Sequence, residues 1–141
     1  YLDSKLKDVP GIIPYRLAPG ATRPAYHLYP FRYDQEAFGG VPRSRFLEAL
    51  KAEGIPCSGG YGPQYHDGLI EEALQSRGFR RLFSKARLDQ YREHIHHLPG
   101  NDQLCAEAVW LFQYMLLGDR HDMDDVVNAI IKIYENRKKL V

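Results

Sequence analysis

The C-terminal segment constrains the fold most. Met123, Val126, Val127, Ile130, Ile131, Ile133 and Tyr134 recur at helical spacing on one broad face, and a helix with such a stripe is stable only where an apolar surface covers it. Asp122 is placed to cap this helix, with Asp124 and Asp125 in its first turn complementing the positive end of the dipole. Lys132, Arg137, Lys138 and Lys139 suit its other end. The rest of the chain must therefore provide a sheet, or further helices, with a matching apolar face.

Three segments qualify as strands. Ala25 to Tyr33 (Ala-Tyr-His-Leu-Tyr-Pro-Phe-Arg-Tyr) alternates loosely and is rich in aromatics, which favours a half-buried strand with Pro30 at a bulge or on an edge. Ile55 to Ser58 allows only a short strand, because Gly59-Gly60-Tyr61-Gly62-Pro63 imposes an irregular loop. Val109-Trp110-Leu111-Phe112 is an apolar run suited to a buried strand, following a short helix with Leu104, Cys105 and Ala108 that Asn101-Asp102 can cap.

A helix over 42–53 is predicted from Pro42 in the first turn, Phe46, Leu47 and Leu50 on one face, and Gly54 as a left-handed stop. Gly68 to Ser76 has two turns of helical spacing and Ser84 to His94 one or two more, but the charged stretch Arg77 to His97 reads as an irregular excursion over the surface. Asp8 to Pro24 holds four prolines and two glycines in 17 residues and reads as an extended connector. The fold class expected is α+β: a small sheet of about three strands covered by helices mainly on one face.

At 141 residues, 44% hydrophobic and 26% charged, the chain has material for one core. A net charge of +1 leaves no long-range field to draw nucleic acid or anionic lipid. No run approaches the ~18 apolar residues of a membrane span and no secretory pattern opens the chain, so a cytoplasmic protein is expected. The chain begins at Tyr1 in a helix-compatible stretch with no Met and no cap, as a piece of a longer protein would. Cys57 and Cys105 lack any CxxC spacing and are expected as buried thiols rather than a disulfide or zinc ligands.

Several constellations are weaker than they look. His94, His96 and His97 alternate on a charged segment and would not converge on a metal as i, i+4 ligands do, so no metal is expected there. His121 to Asp125 lacks the glycine and terminal Glu of a calcium loop. Arg77, Arg80, Arg81, Lys85 and Arg87 with Phe79 and Phe83 resemble an RNA-binding stripe, but Glu71, Glu72, Asp89 and Glu93 cancel its field. Gly59 to Gly62 lacks the Lys-Ser/Thr of a phosphate loop. The side chains after those glycines, Tyr61, Gln64, Tyr65, His66 and Asp67, offer phenol, amide and imidazole groups suited to a hydroxylated ligand.

The segments 25–33 and 45–56 (Arg-Phe-Leu-Glu-Ala-Leu-Lys-Ala-Glu-Gly-Ile-Pro), then Ala-Glu-Ala-Val-Trp-Leu at 106–111, Leu-Leu-Gly at 116–118 and Asp-Met-Asp-Asp at 122–125, occur in a characteristic order and spacing. In that ordered set the chain resembles the C-terminal small domain of the DegT/DnrJ/StrS-type pyridoxal-phosphate-dependent sugar or cyclitol aminotransferases. The resemblance covers nearly all of residues 1–141, with 1–7 as the tail of an interdomain helix and 8–24 as the connector.

It implies an aspartate-aminotransferase-like fold, a homodimer, and an N-terminal large domain, absent here, that holds the cofactor and its lysine. None of Lys5, Lys7, Lys51, Lys85, Lys132, Lys138 and Lys139 matches that lysine, so no catalytic or cofactor-binding residue is expected in this chain and it is expected to be inactive alone. Many relatives carry a histidine where this sequence has Gly60; Tyr61 carries over, and the Gly-Tyr pair is similar to the branch acting on cyclitol ketones. Gln113 matches a position where relatives place a polar residue facing the active site.

The resemblance thus implies a substrate-side domain. In it Tyr61, Tyr65, His66 and Gln113 would position a keto-sugar or cyclitol acceptor that receives nitrogen from a donor such as glutamate or glutamine. The other reading is a self-standing, non-catalytic α+β binding or interaction module, favoured by the domain-sized length and the lack of a complete catalytic set.

Overall fold

The computed structural model describes residues 1–96 and 98–141. Four strands form one antiparallel sheet: β1 (Ile12–Pro14), β2 (Leu28–Tyr33), β3 (Cys57–Ser58) and β4 (Ala108–Phe112), in the order β1-β2-β4-β3. The register sets Phe31 opposite Val109, with Tyr29 and Cys57 on either side of Leu111. Side chains alternate faces along a strand, so these residues share one face, and all five are buried.

The helices lie in chain order as α1 (Leu2–Leu6), α2 (Arg43–Ala52), α3 (Leu69–Gln75), α4 (Arg77–Leu82), α5 (Lys85–Ile95), α6 (Pro99–Glu107) and α7 (Arg120–Glu135). The chain divides into two compact units: residues 1–60 with 107–141, and residues 61–106. The first holds the main core. The Tyr33 ring stacks 4.5 Å from Phe46 of α2 and tilts 4.7 Å from Phe38, and Phe38 meets Tyr134 of α7 edge to face at 5.2 Å. Met123, Val126, Val127, Ala129, Ile130 and Ile133 of α7 join this cluster, with Leu2 and Leu6 of α1. The buried Tyr33 hydroxyl donates to the Val41 carbonyl at 2.8 Å, so the ring is buried without leaving its polar end unpaired.

The α+β class and the three expected strands are present, and Gly54 ends α2 in the left-handed region at φ +86°. Five local expectations are corrected. The segment read as an irregular connector contributes β1, an edge strand that tolerates Pro14 because it needs no donor on its outer side. Pro30 is on neither a bulge nor an edge strand: β2 lies between β1 and β4, and Pro30 faces Trp110 of β4 in unbroken register, one residue beyond the end of the β1 ladder. The cap of α7 is Asp119, whose carboxylate accepts from His121 and Asp122, while Asp122 closes a capping box by accepting from the Asp119 amide at 2.8 Å. Ile131 lies off the buried stripe at 37% exposed. Asn101 and Asp102 sit inside α6, in its first turn, rather than capping it.

In the second unit, the stretch read as an irregular excursion is helical. Ser76 caps α4 and Ser84 caps α5, each accepting the amide three residues on. The Arg92 guanidinium then joins Glu71 of α3 at 2.8 Å to Asp89 at 2.9 Å. Leu74, Leu88 and Ile95 are the buried apolar residues of this unit.

Candidate functional site

The glycine loop leaves β3 in a fixed direction. Arg43, in the first turn of α2, donates one guanidinium nitrogen to the Gly59 carbonyl at 3.0 Å and to the Ala108 carbonyl of β4 at 2.7 Å. A Cβ on Gly59 would come within 3.3 Å of that guanidinium. Gly60 has φ +76° and packs against the Trp110 indole, where a Cβ would stand 2.7 Å from a ring carbon. Its amide donates to the Ser58 hydroxyl at 3.3 Å. Only glycine supplies both the left-handed backbone and the close approach. The first unit ends at Gly60 with the chain held on three sides.

The second unit opens with Tyr61, 66% exposed, and after Pro63 makes a single 3-10 turn over Gln64–His66. Tyr65 is half-buried and donates its hydroxyl to the Asp102 carboxylate of α6. Its ring is met edge to face by His66 at 4.5 Å and by His96, at the end of α5, at 5.8 Å. The hydrogen bond to Asp102, before desolvation, pushes the Tyr65 phenol up to about 12. With its proton engaged, the Tyr65 oxygen faces other groups as an acceptor, and the exposed His66 imidazole stands beside it as donor or acceptor.

The structure thus brings Tyr65 and His66 together with two residues that the sequence reading assigned elsewhere: Asp102, taken for a helix cap, and His96, taken for part of a solvated cluster. Gln113 belongs to the first unit, exposed at the start of the 3-10 helix Gln113–Leu117, beside the Phe112 and Tyr114 rings stacked at 5.9 Å. Arg43 escaped the sequence reading, and Trp110 was read only as part of a strand and not as the surface against which the glycine loop packs.

His94 and His96 lie at the end of α5, and His97 falls outside the described residues. Among the described residues no three His, Cys, Asp or Glu side chains are grouped to hold a metal, and no helix is long and apolar enough to cross a membrane. Cys57 is buried, its thiol raised by that burial and directed at the Leu47 carbonyl 3.6 Å away, an arrangement opposed to thiolate formation. Cys105 is half-buried, against the expectation of a fully buried thiol.

The sheet with helices on its buried face is that of a known class of domain. Over 96% of its length the chain superposes on a part, 32%, of 3-amino-5-hydroxybenzoic acid (AHBA) synthase, with a TM-score of 0.63 at 16% identity. No family model matches the chain. It is 31% identical over 131 residues to the L-glutamine:2-deoxy-scyllo-inosose aminotransferase of Streptoalloteichus tenebrarius, covering 92% of this chain and 30% of that enzyme. With the enzyme of the same name from Streptomyces kanamyceticus it shares 31% over 140 residues, 99% of this chain and 32% of that one. The chain is thus similar along nearly its whole length to cyclitol aminotransferases, in line with the resemblance of its ordered segments to the DegT/DnrJ/StrS-type enzymes. It spans about a third of the length of the curated relatives it matches.

That similarity raises the question of pyridoxal phosphate. Its chemistry needs a lysine that can shed its proton and reach the cofactor in an enclosed site. All seven lysines here are exposed, and Lys85 and Lys132 are held by Asp89 and Glu53. The residues present do not fit that group, and no step through it is assigned to this chain.

Proposed function

We propose that this chain is the acceptor-side, C-terminal part of a pyridoxal-phosphate-dependent aminotransferase that moves an amino group from an amino acid such as glutamine to a cyclitol ketone or keto-sugar. The observation that carries the reading is the match along nearly the whole chain to aminotransferases whose names specify L-glutamine and 2-deoxy-scyllo-inosose. In this reading the cofactor and its lysine belong to an N-terminal large domain, and the working enzyme is a cytoplasmic homodimer. Residues 1–7 end the interdomain helix, residues 8–24 connect it to the sheet, and the chain alone is inactive.

The loop chemistry supports an acceptor rich in hydroxyls. The Tyr65 oxygen, its proton given to Asp102, accepts from a substrate hydroxyl. The His66 imidazole, the Tyr61 phenol and the Gln113 amide supply further donors and acceptors whose directionality distinguishes one hydroxyl pattern from another. Arg43 and Trp110 hold the loop's point of departure, so that fewer loop conformations are lost on binding.

The test uses the longer protein that carries this chain, with Tyr61→Phe and His66→Ala. The expected result is a rise in acceptor KM, or altered acceptor preference, with the cofactor absorption spectrum and the half-reaction with the amino donor unchanged. Loss of the cofactor, with acceptor KM intact, refutes the assignment.

A further inference from the structure

The second unit contains a concavity that the acceptor loop does not use. Helices α3, α4 and α5 enclose an open groove of about 390 Å³. Leu74 and Leu88, 2% and 7% exposed, form its floor, and Ile70, Phe79, Phe83 and Tyr91 its walls. The Phe79 and Phe83 rings lie 5.7 Å apart. The volume is that of a small-molecule pocket, about 300 to 1,000 Å³. The lining runs only from residue 69 to 74 on α3 and from 87 to 91 on α5. That is short for a docked helix, which anchors over about two turns.

The charge around the groove says what kind of molecule it suits. Asp89 and Glu71 are occupied by Lys85 and Arg92. Arg87, the one charged side chain in the lining, donates to the neutral amide oxygen of Gln90 at 2.9 Å. Arg77, Arg80 and Arg81 line a second depression with Gln75, on the same short helix as Phe79. Among the described residues none of these four arginines has a carboxylate in ion-pair range. An apolar groove with an uncompensated guanidinium in its wall favours an anion with an apolar body, since a carboxylate takes a bidentate pair from arginine.

We propose that this groove binds a small amphiphilic carboxylate, its apolar part between α3 and α5 and its carboxylate on the Arg87 guanidinium. The inference stands independently of the aminotransferase reading, because it uses none of the acceptor-loop residues.

The test is a titration of the 141-residue chain with octanoate, followed by methyl and amide NMR, with octylamine as the probe of reversed charge. Saturable shifts at Leu69, Ile70, Ala73 and Leu88 are expected with octanoate. Arg87→Gln is expected to weaken binding about tenfold or more, as loss of a charge-assisted pair does, with the spectrum otherwise retained. Ala73→Trp fills the groove with its charges intact and is expected to abolish the shifts. The proposal is overturned if octylamine binds as tightly as octanoate, if Arg87→Gln changes nothing, or if the shifts map elsewhere. It is equally overturned if the groove takes an acidic amphipathic peptide, or a second copy of the chain, in preference to octanoate.

Discussion

Gly60→Ala isolates the contact between the glycine loop and Trp110. A Cβ at this position meets two costs. The backbone is left-handed at φ +76°, which costs a residue with a side chain about 1 to 2 kcal/mol. The methyl would also stand 2.7 and 2.9 Å from two carbons of the Trp110 indole, and forced overpacking of that kind costs about 1 to 3 kcal/mol. The stiffer unfolded chain returns about 0.4 to 1 kcal/mol. The net expectation is a loss of about 1 to 5 kcal/mol, centred near 3.

Gly54→Ala is the matched control, with φ +86° and nothing within 4 Å of its Cβ, and it should cost only about 1 kcal/mol. Urea unfolding of the two variants measures the difference directly. A Gly60→Ala, Trp110→Leu double variant should recover about 1 to 2 kcal/mol of it through coupling. Equal costs for the two glycines, or no recovery in the double variant, would show that Gly60 is a conformational requirement alone and that Trp110 does not set the path of the loop.

Stability should fall steeply in alkali. Burial first, and then for Tyr29 the hydrogen bond to Asp3 at 2.5 Å, raise the phenols of Tyr29 and Tyr33. The folded state holds both protons while the unfolded chain releases them near pH 10, so the stabilisation is complete below about pH 10 and is lost above it. Each site removes up to ~1.4 kcal/mol per pH unit there; Tyr29→Phe should reduce that slope in urea unfolding, and an unchanged slope counts against the assignment. Asp119→Ala should cost about 1 kcal/mol, measured by thermal unfolding, as the loss of a capping side chain does. A smaller effect than that of Asp124→Ala would place the start of α7 elsewhere.

The parts of the fold legible in the sequence were those whose signal is local and periodic. The α7 stripe, the alternation of Tyr29, Phe31 and Tyr33, and the Gly54 stop each follow from side chains a few residues apart, and the sheet core forms where they meet. β1 was not legible, because three residues that follow Pro10-Gly11 and end in a proline carry no period and become a strand only by pairing with β2. Helix α4, and all but a turn or two of α5, were hidden by their charge. Their support is Ser76 and Ser84 as caps and the Glu71, Asp89 and Arg92 pairs, a pattern visible in the sequence once caps are weighed against the lack of apolar residues.

At the candidate site, the loop's side chains could be read off, but not what holds them. Arg43 acts on carbonyls 16 and 65 residues away, and backbone oxygens leave no trace in side-chain identity. Asp102 looked like a cap because it precedes an apolar helical run, and its partner Tyr65 lies 37 residues earlier in the chain.

The most direct test of the account is to supply the purified 141-residue chain with pyridoxal phosphate, glutamine and a cyclitol ketone, and to follow both amine formation and cofactor bound per chain. No transfer and no stoichiometric attachment at any of the seven lysines is the expected result, because under the proposed function this polypeptide furnishes the acceptor wall and not the reacting centre. Turnover, or one cofactor carried on a single lysine of the chain, would contradict it.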